Sequence, residues 1–170
     1  MTLAAWVKVI KLTTDAHDQN RQPIIMKGNS GQWEYALYIY DGGNPGMSVW
    51  NNGGTGVAEP SGPPNVDDGE WHAVVGTFDS KAGVKVYVDG VPGATAAPNA
   101  NIPGAGTRNV FIAHREDGQF LGAIVDEVRI WARVLEPKEI SETMQSPLGG
   151  LAVSPAGRLA SKWGELKLVR

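Results

Sequence analysis

The sequence predicts an all-β fold of short antiparallel strands, and three observations carry that reading. Over residues 69–90 the chain alternates with period two on either side of a turn at 79–83, the form of a hairpin with a buried face. The 22 glycines and 11 prolines exceed ordinary usage and fall between short apolar runs, where turns belong. Helical signal is confined to residues 135–144, where Pro137 sits near the first helical position and acids fill the first turn.

Taken in order, residues 2–10 alternate, with Leu3, Ala5, Val7 and Val9 on one side and Ala4, Trp6 and Lys8 on the other, and read as a strand. Residues 13–22 form a polar loop. His17 and Asp18 within it are metal-ligating types, but a lone histidine in a polar loop is ordinarily just solvated. A short strand at 23–27 ends in the glycine-rich 28–31. Residues 33–40 are the most β-prone stretch: Tyr35, Leu37 and Ile39 are expected in the core, while Glu34, Ala36, Tyr38 and Tyr40 share the other face. At a rise near 3.3 Å per residue the two outward tyrosines stand about 7 Å apart. After a turn at 41–46, residues 47–50 return and bring Trp50 onto the tyrosine face. Residues 51–68 are a long loop rich in Gly, Pro and Asn, of the kind that often carries function.

In the second arm of the central hairpin Val84, Val86 and Val88 alternate with Lys85, Tyr87 and Asp89. Residues 91–107 read as a connection, 109–114 as a strand, 115–119 as a turn, and 120–131 as a strand pair or one long bent strand. Leu135, Ile140 and Met144 are placed to pin the helix to a sheet. The Pro/Gly-broken tail from Ser146 carries Leu159, Trp163, Leu166 and Leu168, and that apolar content predicts a strap docked on the same domain.

Composition narrows the function classes. The length of 170 residues makes one domain with a single large core the default. A net charge of −3 with scattered Lys and Arg supplies no field to draw nucleic acid or an anionic membrane. Cysteine is absent, which excludes disulfides, thiolate zinc sites and cysteine nucleophiles. No run approaches the ~20 apolar residues of a membrane helix, so membrane insertion is not expected. Residues 1–6 enter strand-like sequence without a signal peptide, so the chain reads as a piece that starts inside a domain, its export signal lying elsewhere.

The motifs TLAAWVK, IIMKG, DGEWHAVVGTFD, VYVDG, IAHRED and DEVRIWARVLEPKEI follow one another in the chain. Together, over residues 2–145, they resemble the bacterial laminin-G-like, concanavalin-A-like lectin domains. The resemblance implies a two-sheet antiparallel jelly-roll sandwich with one short C-terminal helix near 136–145, as a domain over 1–145 followed by the tail 146–170. It also implies a binding or adhesion module, secreted or at the cell surface, that recognises a glycan or a surface protein and often holds structural calcium. Members usually carry a further strand ahead of the TLAAWVK segment. Residues 163–169 are expected to take that place, beside the strand of residues 3–9.

Catalysis requires converging groups, and the sequence offers few. The strand-borne acids are Glu34, Asp126 and Glu127, and the last two are adjacent, which predicts opposite faces. A retaining glycosidase pair must stand about 5 Å apart across its substrate. Asp67, Asp68 and Glu70 cluster at a turn, where acids cap or solvate. There is no nucleophile elbow, phosphate loop or dinucleotide fingerprint, so no enzyme is predicted. Sugars, by contrast, stack their C–H patches on aromatic rings while polar side chains bond their hydroxyls. Tyr38, Tyr40 and Trp50 are the candidate ligand face, joined by Tyr87 if its strand neighbours theirs, with Asn51, Arg115 and Asp117 in adjoining loops. The other reading has these rings covering a sheet against the helix or the tail.

Trp6, Trp71 and Trp131 are expected in the core, and His72 is expected to be packed and hydrogen-bonded to a neighbouring strand. For metal, the resemblance implies that Asp126 contributes to a calcium site with backbone carbonyls. Calcium takes about six to eight oxygens, so one carboxylate is not a site. A salt bridge from Asp126 or Glu127 to Arg129, Arg133 or Lys138 is the alternative. The second functional reading is protein–protein adhesion or self-assembly, a homo-oligomer formed through sheet faces or an unpaired edge strand.

Overall fold

Alternation makes each strand two-faced, so strands that share an apolar side bury it by stacking as two sheets. The computed structural model describes residues 1–12, 21–29, 32–51, 64–96, 103–116 and 118–145. Among them the elements run β1 (Thr2–Val9), β2 (Gln22–Lys27), β3 (Tyr35–Ile39), β4 (Pro45–Val49), β5 (Trp71–Asp79), β6 (Gly83–Val88), β7 (Val91–Ala96), β8 (Val110–Ile112), β9 (Ala123–Trp131) and α1 (Pro137–Gln145). One sheet has the order β7-β6-β5-β1-β9 and the other β4-β3-β2-β8, and every pairing is antiparallel. This is the predicted jelly-roll sandwich with one short helix.

The core fills the space between the sheets. Leu3, Ala5, Val7 and Val9 of β1 belong to one cluster with Ile24, Ile25, Leu37, Ile39, Met47 and Val49 from the four-stranded sheet. Each such side chain contributes about 1.5–3 kcal/mol when buried. Gly76 of β5 marks a close approach of the sheets, since a Cβ there would stand 2.6 Å from Met47 Sδ. The three tryptophans expected in this core lie on the outside of the five-stranded sheet. Trp6 and Ala73 are register partners on the face of Ala4 and Val75, Trp131 packs against that outer cluster, and Trp71 is 41% exposed.

α1 covers part of that outer face. Leu135 and Ile140 press onto Ala4, Val75 and Tyr87, as the sequence predicted for the first two. The helix starts on a half capping box: the Glu136 N–H donates to Glu139 Oε2 at 2.9 Å, and Arg133 forks onto the same carboxylate at 2.8 and 2.7 Å. The Thr2 hydroxyl ties helix to sheet by accepting the Leu135 N–H and donating to Arg133 O, both at 2.9 Å. No helix among the described residues is long and apolar enough to cross a membrane.

Two expectations are corrected. Val91–Ala96, read as connection, is β7, an edge strand of the five-stranded sheet, where Pro92 can be accommodated. β1 is hydrogen-bonded on both sides, to β5 and to β9, so no further strand can lie beside residues 3–9. Residues 163–169, assigned to that place, lie with the rest of the tail 146–170 outside the described residues, as do His17 and Asp18. The other edges of the two sheets are β4 and, along one flank, β8 and β9. Ile112 pairs with core residue Ile25 and Ile130 with core residue Leu3, yet they are 52% and 45% exposed, so the sandwich is open along this flank.

Candidate functional site

The outer face of the four-stranded sheet collects the aromatic residues the alternation assigned to it. Met26 of β2, Ala36 and Tyr38 of β3, and Trp50 after β4 form a cluster with Trp33 and Tyr40 packed against it. Tyr38 is only 1% exposed. Its hydroxyl shares hydrogen bonds with Ser48 Oγ at 2.9 Å and Tyr40 Oη at 3.3 Å, and the two tyrosine rings meet edge to face at 5.1 Å. The Arg21 guanidinium lies 5.5 Å from the Tyr38 ring centre, and that of Arg115 lies 5.0 Å over Trp33. The void left among these groups is about 10 Å³, no more than one water occupies. The rings expected to stack on a ligand are thus a sealed floor, roofed by two arginines.

Of the predicted ligand residues, Tyr38, Tyr40, Trp50 and Arg115 come together here, and Asn51 follows directly as a half-buried residue. Tyr87 does not join them. β6 belongs to the opposite sheet, and Tyr87 is buried beneath α1. Burial and the charge of Glu136 raise its phenol pKa above 10. Asp117 lies outside the described residues.

Beside the sealed floor, toward the β8 edge, the surface opens. A pocket of about 240 Å³ is lined by Gln32, Trp33, Glu34, Gly106 and Arg108. Glu34 is 5% exposed; its Oε2 binds Lys27 Nζ at 2.8 Å, and the same amine donates to Gly106 O at 2.8 Å. Its Oε1 is buried and has no hydrogen-bond partner among the described residues. Such an orphaned carboxylate oxygen is rare in native proteins and costs about 1–3 kcal/mol or more until a donor reaches it. Arg108 donates to Gln32 Oε1 at 2.9 Å and separates this pocket from a second of about 400 Å³, lined by Asn29, Thr107, Asn109, Phe111 and Glu116 among others. Asn29 Oδ1 is a second buried acceptor without a partner. Sequence reasoning placed Glu34 on the tyrosine face but gave it no role. Its signal was a carboxylate in the outward set of a strand whose neighbours there are apolar or aromatic.

Asp126 and Glu127 depart from their predicted opposite faces. The β1–β9 register shifts between Ala4 and Trp6, and Glu127 adopts φ 51°, a left-handed conformation unusual for a non-glycine. The bulge turns both carboxylates into one groove with Trp6, Trp71 and Met144. Asp126 Oδ1 accepts the Glu127 N–H at 2.7 Å, and Glu127 Oε2 pairs with Arg129 at 2.7 Å, the salt-bridge alternative. No group of three or more His, Cys, Asp or Glu gathers for a metal among the described residues. Walls of two indoles and a thioether do not fit the oxygen shell calcium requires.

A family model described as the concanavalin A-like lectin/glucanases superfamily matches residues 1–141. No curated protein sequence matches the chain. Among solved structures, the CBM40 module of the Ruminococcus gnavus IT-sialidase is similar, with a TM-score of 0.64 and 21% identity over 83% of this chain and 80% of that one. A second structure of that module holds α2,3-sialyllactose. Domain 4 of an extracellular arabinanase from Geobacillus stearothermophilus, in complex with arabinotriose, gives 0.59 and 20% over 85% of this chain and 66% of that one. A heptameric pentraxin from Limulus polyphemus gives 0.58 and 17% over 82% and 67%.

Proposed function

The chain belongs to the concanavalin A-like lectin/glucanase superfamily, and from that premise we propose that it is a non-catalytic carbohydrate-binding module acting outside the cell, secreted or at its surface. One observation carries the reading: the buried Glu34 Oε1, without a partner, on a pocket walled by the Trp33 indole. A sugar ring stacks a C–H face on Trp33 and donates a hydroxyl to Glu34, while Arg108 and Gln32 at the rim bond neighbouring hydroxyls. Tyr38, Tyr40 and Trp50 hold the floor rigid beneath it. The sialyllactose and arabinotriose seen in similar modules support the ligand class without selecting the sugar. Binding rather than turnover is favoured because Glu34 is tied to Lys27 and Glu127 to Arg129.

The test is a glycan array with the full chain, competed with free sugar. Arg108→Ala, a rim change, and Glu34→Gln should both lose the signal, the first without a change in melting temperature. An array signal indifferent to both variants, or no signal at all, overturns the proposal. The second reading, assembly through an edge strand, rests on the exposed Ile112 and Ile130 along the β8 and β9 edges. It predicts concentration-dependent association without glycan binding.

A further inference from the structure

On the other side of the sandwich lies a second concave site, independent of Glu34. It sits at the C-terminal end of α1, on the outer face of the five-stranded sheet, with a volume of about 310 Å³. That is near the lower end of the ~300–1,000 Å³ typical of small-molecule pockets. Trp6 on β1 pairs with Ala73, two residues along β5 from Trp71, so the two indoles share a face at diagonal cross-strand spacing. Asp126 stands across from Trp6 in the β9 register, and the bulge brings Glu127 to the same groove. The arrangement is anchored: Arg129 binds Glu127 Oε2 at 2.7 Å and Thr143 O at 2.8 Å, clamping strand to helix beside Met144.

Among the described residues, every side chain lining this groove is electron-rich: two indole faces, two carboxylates and a thioether. A neutral sugar would find acceptors but, beyond the indole N–H groups, no side-chain donors among the described lining residues. Calcium would find two carboxylates among apolar walls. A soft organic cation suits this lining, since aromatic faces attract ammonium groups through their quadrupole and Asp126 supplies the countercharge, the charge of Glu127 being already paired with Arg129. Lys8, in register with Trp71, is not among the described residues that line the groove. We infer that the Trp6–Trp71–Asp126–Glu127 groove binds a quaternary or methylated ammonium group.

The test titrates the full chain with choline and with 3,3-dimethyl-1-butanol, its uncharged isostere, while following the indole N–H resonances of Trp6 and Trp71 by NMR. Choline should shift both resonances and bind at least about tenfold more tightly than the isostere, a ratio that falls as salt is added. Asp126→Asn should weaken choline about tenfold with the fold intact, because that carboxylate is exposed. Trp71→Ala should abolish the shift at Trp6. Equal affinity for choline and isostere would show only an apolar groove and overturn the inference. So would shifts confined to Trp33, or no shift at tens of millimolar choline. None of these outcomes bears on sugar binding at Glu34, which is read on the glycan array.

Discussion

Replacing Gly46 by alanine would place a methyl group against a ring that has nowhere to go. Gly46 pairs with Tyr38 across β3 and β4, and a Cβ there would stand 2.6 Å from Cε2, 2.9 Å from Cζ and 3.0 Å from Oη of that tyrosine. The ring cannot simply swing aside, because its hydroxyl is held by Ser48 and Tyr40 and its edge by the Tyr40 ring. Overpacking of this kind costs about 1–3 kcal/mol. If the ring leaves, the buried Ser48 bond is lost as well, for about 0.5–1.5 kcal/mol. The total is roughly 2–4 kcal/mol, and a chain of this size loses about 2–4 °C of melting temperature per kcal/mol, so Gly46→Ala should melt some 4–16 °C lower. Tyr38→Phe, which removes only the hydroxyl, should lose about 2–4 °C. The assay is thermal unfolding by calorimetry, paired with glycan binding measured well below each midpoint. If these rings are scaffold, both variants lose stability and keep binding. Gly46→Ala melting within about one degree of the parent, or Tyr38→Phe binding no glycan at unchanged stability, would refute the reasoning.

Three further outcomes follow from the same geometry. Gly76→Ala, aimed at Met47 Sδ and Leu37 Cδ1 in the core, should cost about 1–3 kcal/mol in chemical denaturation, because flexible side-chain ends absorb part of the clash; a stabilised variant would show that the sheets are less closely packed. Burial alone would depress the His72 imidazolium, but Asp89 at 2.8 Å and Asp68 at 2.9 Å outweigh it and hold its pKa above the ordinary 6.5. The stability this contributes is complete below about pH 6.5 and is lost as pH rises through the folded value, so His72→Gln should flatten that part of the stability profile; an NMR titration of His72 at or below 6.5 would count against the clamp. Ile112→Lys combined with Ile130→Lys should leave the melting temperature nearly unchanged and abolish any concentration-dependent light scattering, whereas undiminished association would place the contact elsewhere.

The alternation of apolar residues was enough to read β1, β3, β5 and β6 and the inward set of each, because a buried face leaves a period-two record. β7 escaped because Val91-Pro92-Gly93 reads as a turn, and an edge strand needs neither continuous apolar character nor every backbone donor. Period two also misled in one place. It sent Asp126 and Glu127 to opposite faces, while a bulge with Glu127 at φ 51° set both into one groove. Bulges depend on register between strands distant in sequence, and no local pattern announces them. The aromatic face was legible as a face but not as a sealed one, since Arg21 and Arg115 reach it from elsewhere in the chain. His72 was expected to bond a neighbouring strand and instead bonds Asp89, in the turn after β6, and Asp68, ahead of its own strand. Glu34 was visible as an outward acid, but its unpartnered oxygen depends on where Lys27 and Gly106 fall.

The position of β1 has a consequence for how this domain is made. Thr2 pairs with Thr77 on one side and with Trp131 on the other, so β1 cannot complete its bonds until β9, 129 residues later and the last of the described strands, has emerged. At translation rates of about 5–20 residues per second, that wait is roughly 6–26 s. Throughout it, the LAAWV segment lacks its β9 partner, and until β5 has emerged it lacks both. Completion of the five-stranded sheet is therefore set by the arrival of β9 rather than of β1. A ribosome stalled before β9 should hold a nascent chain that a protease cuts readily and a holding chaperone binds.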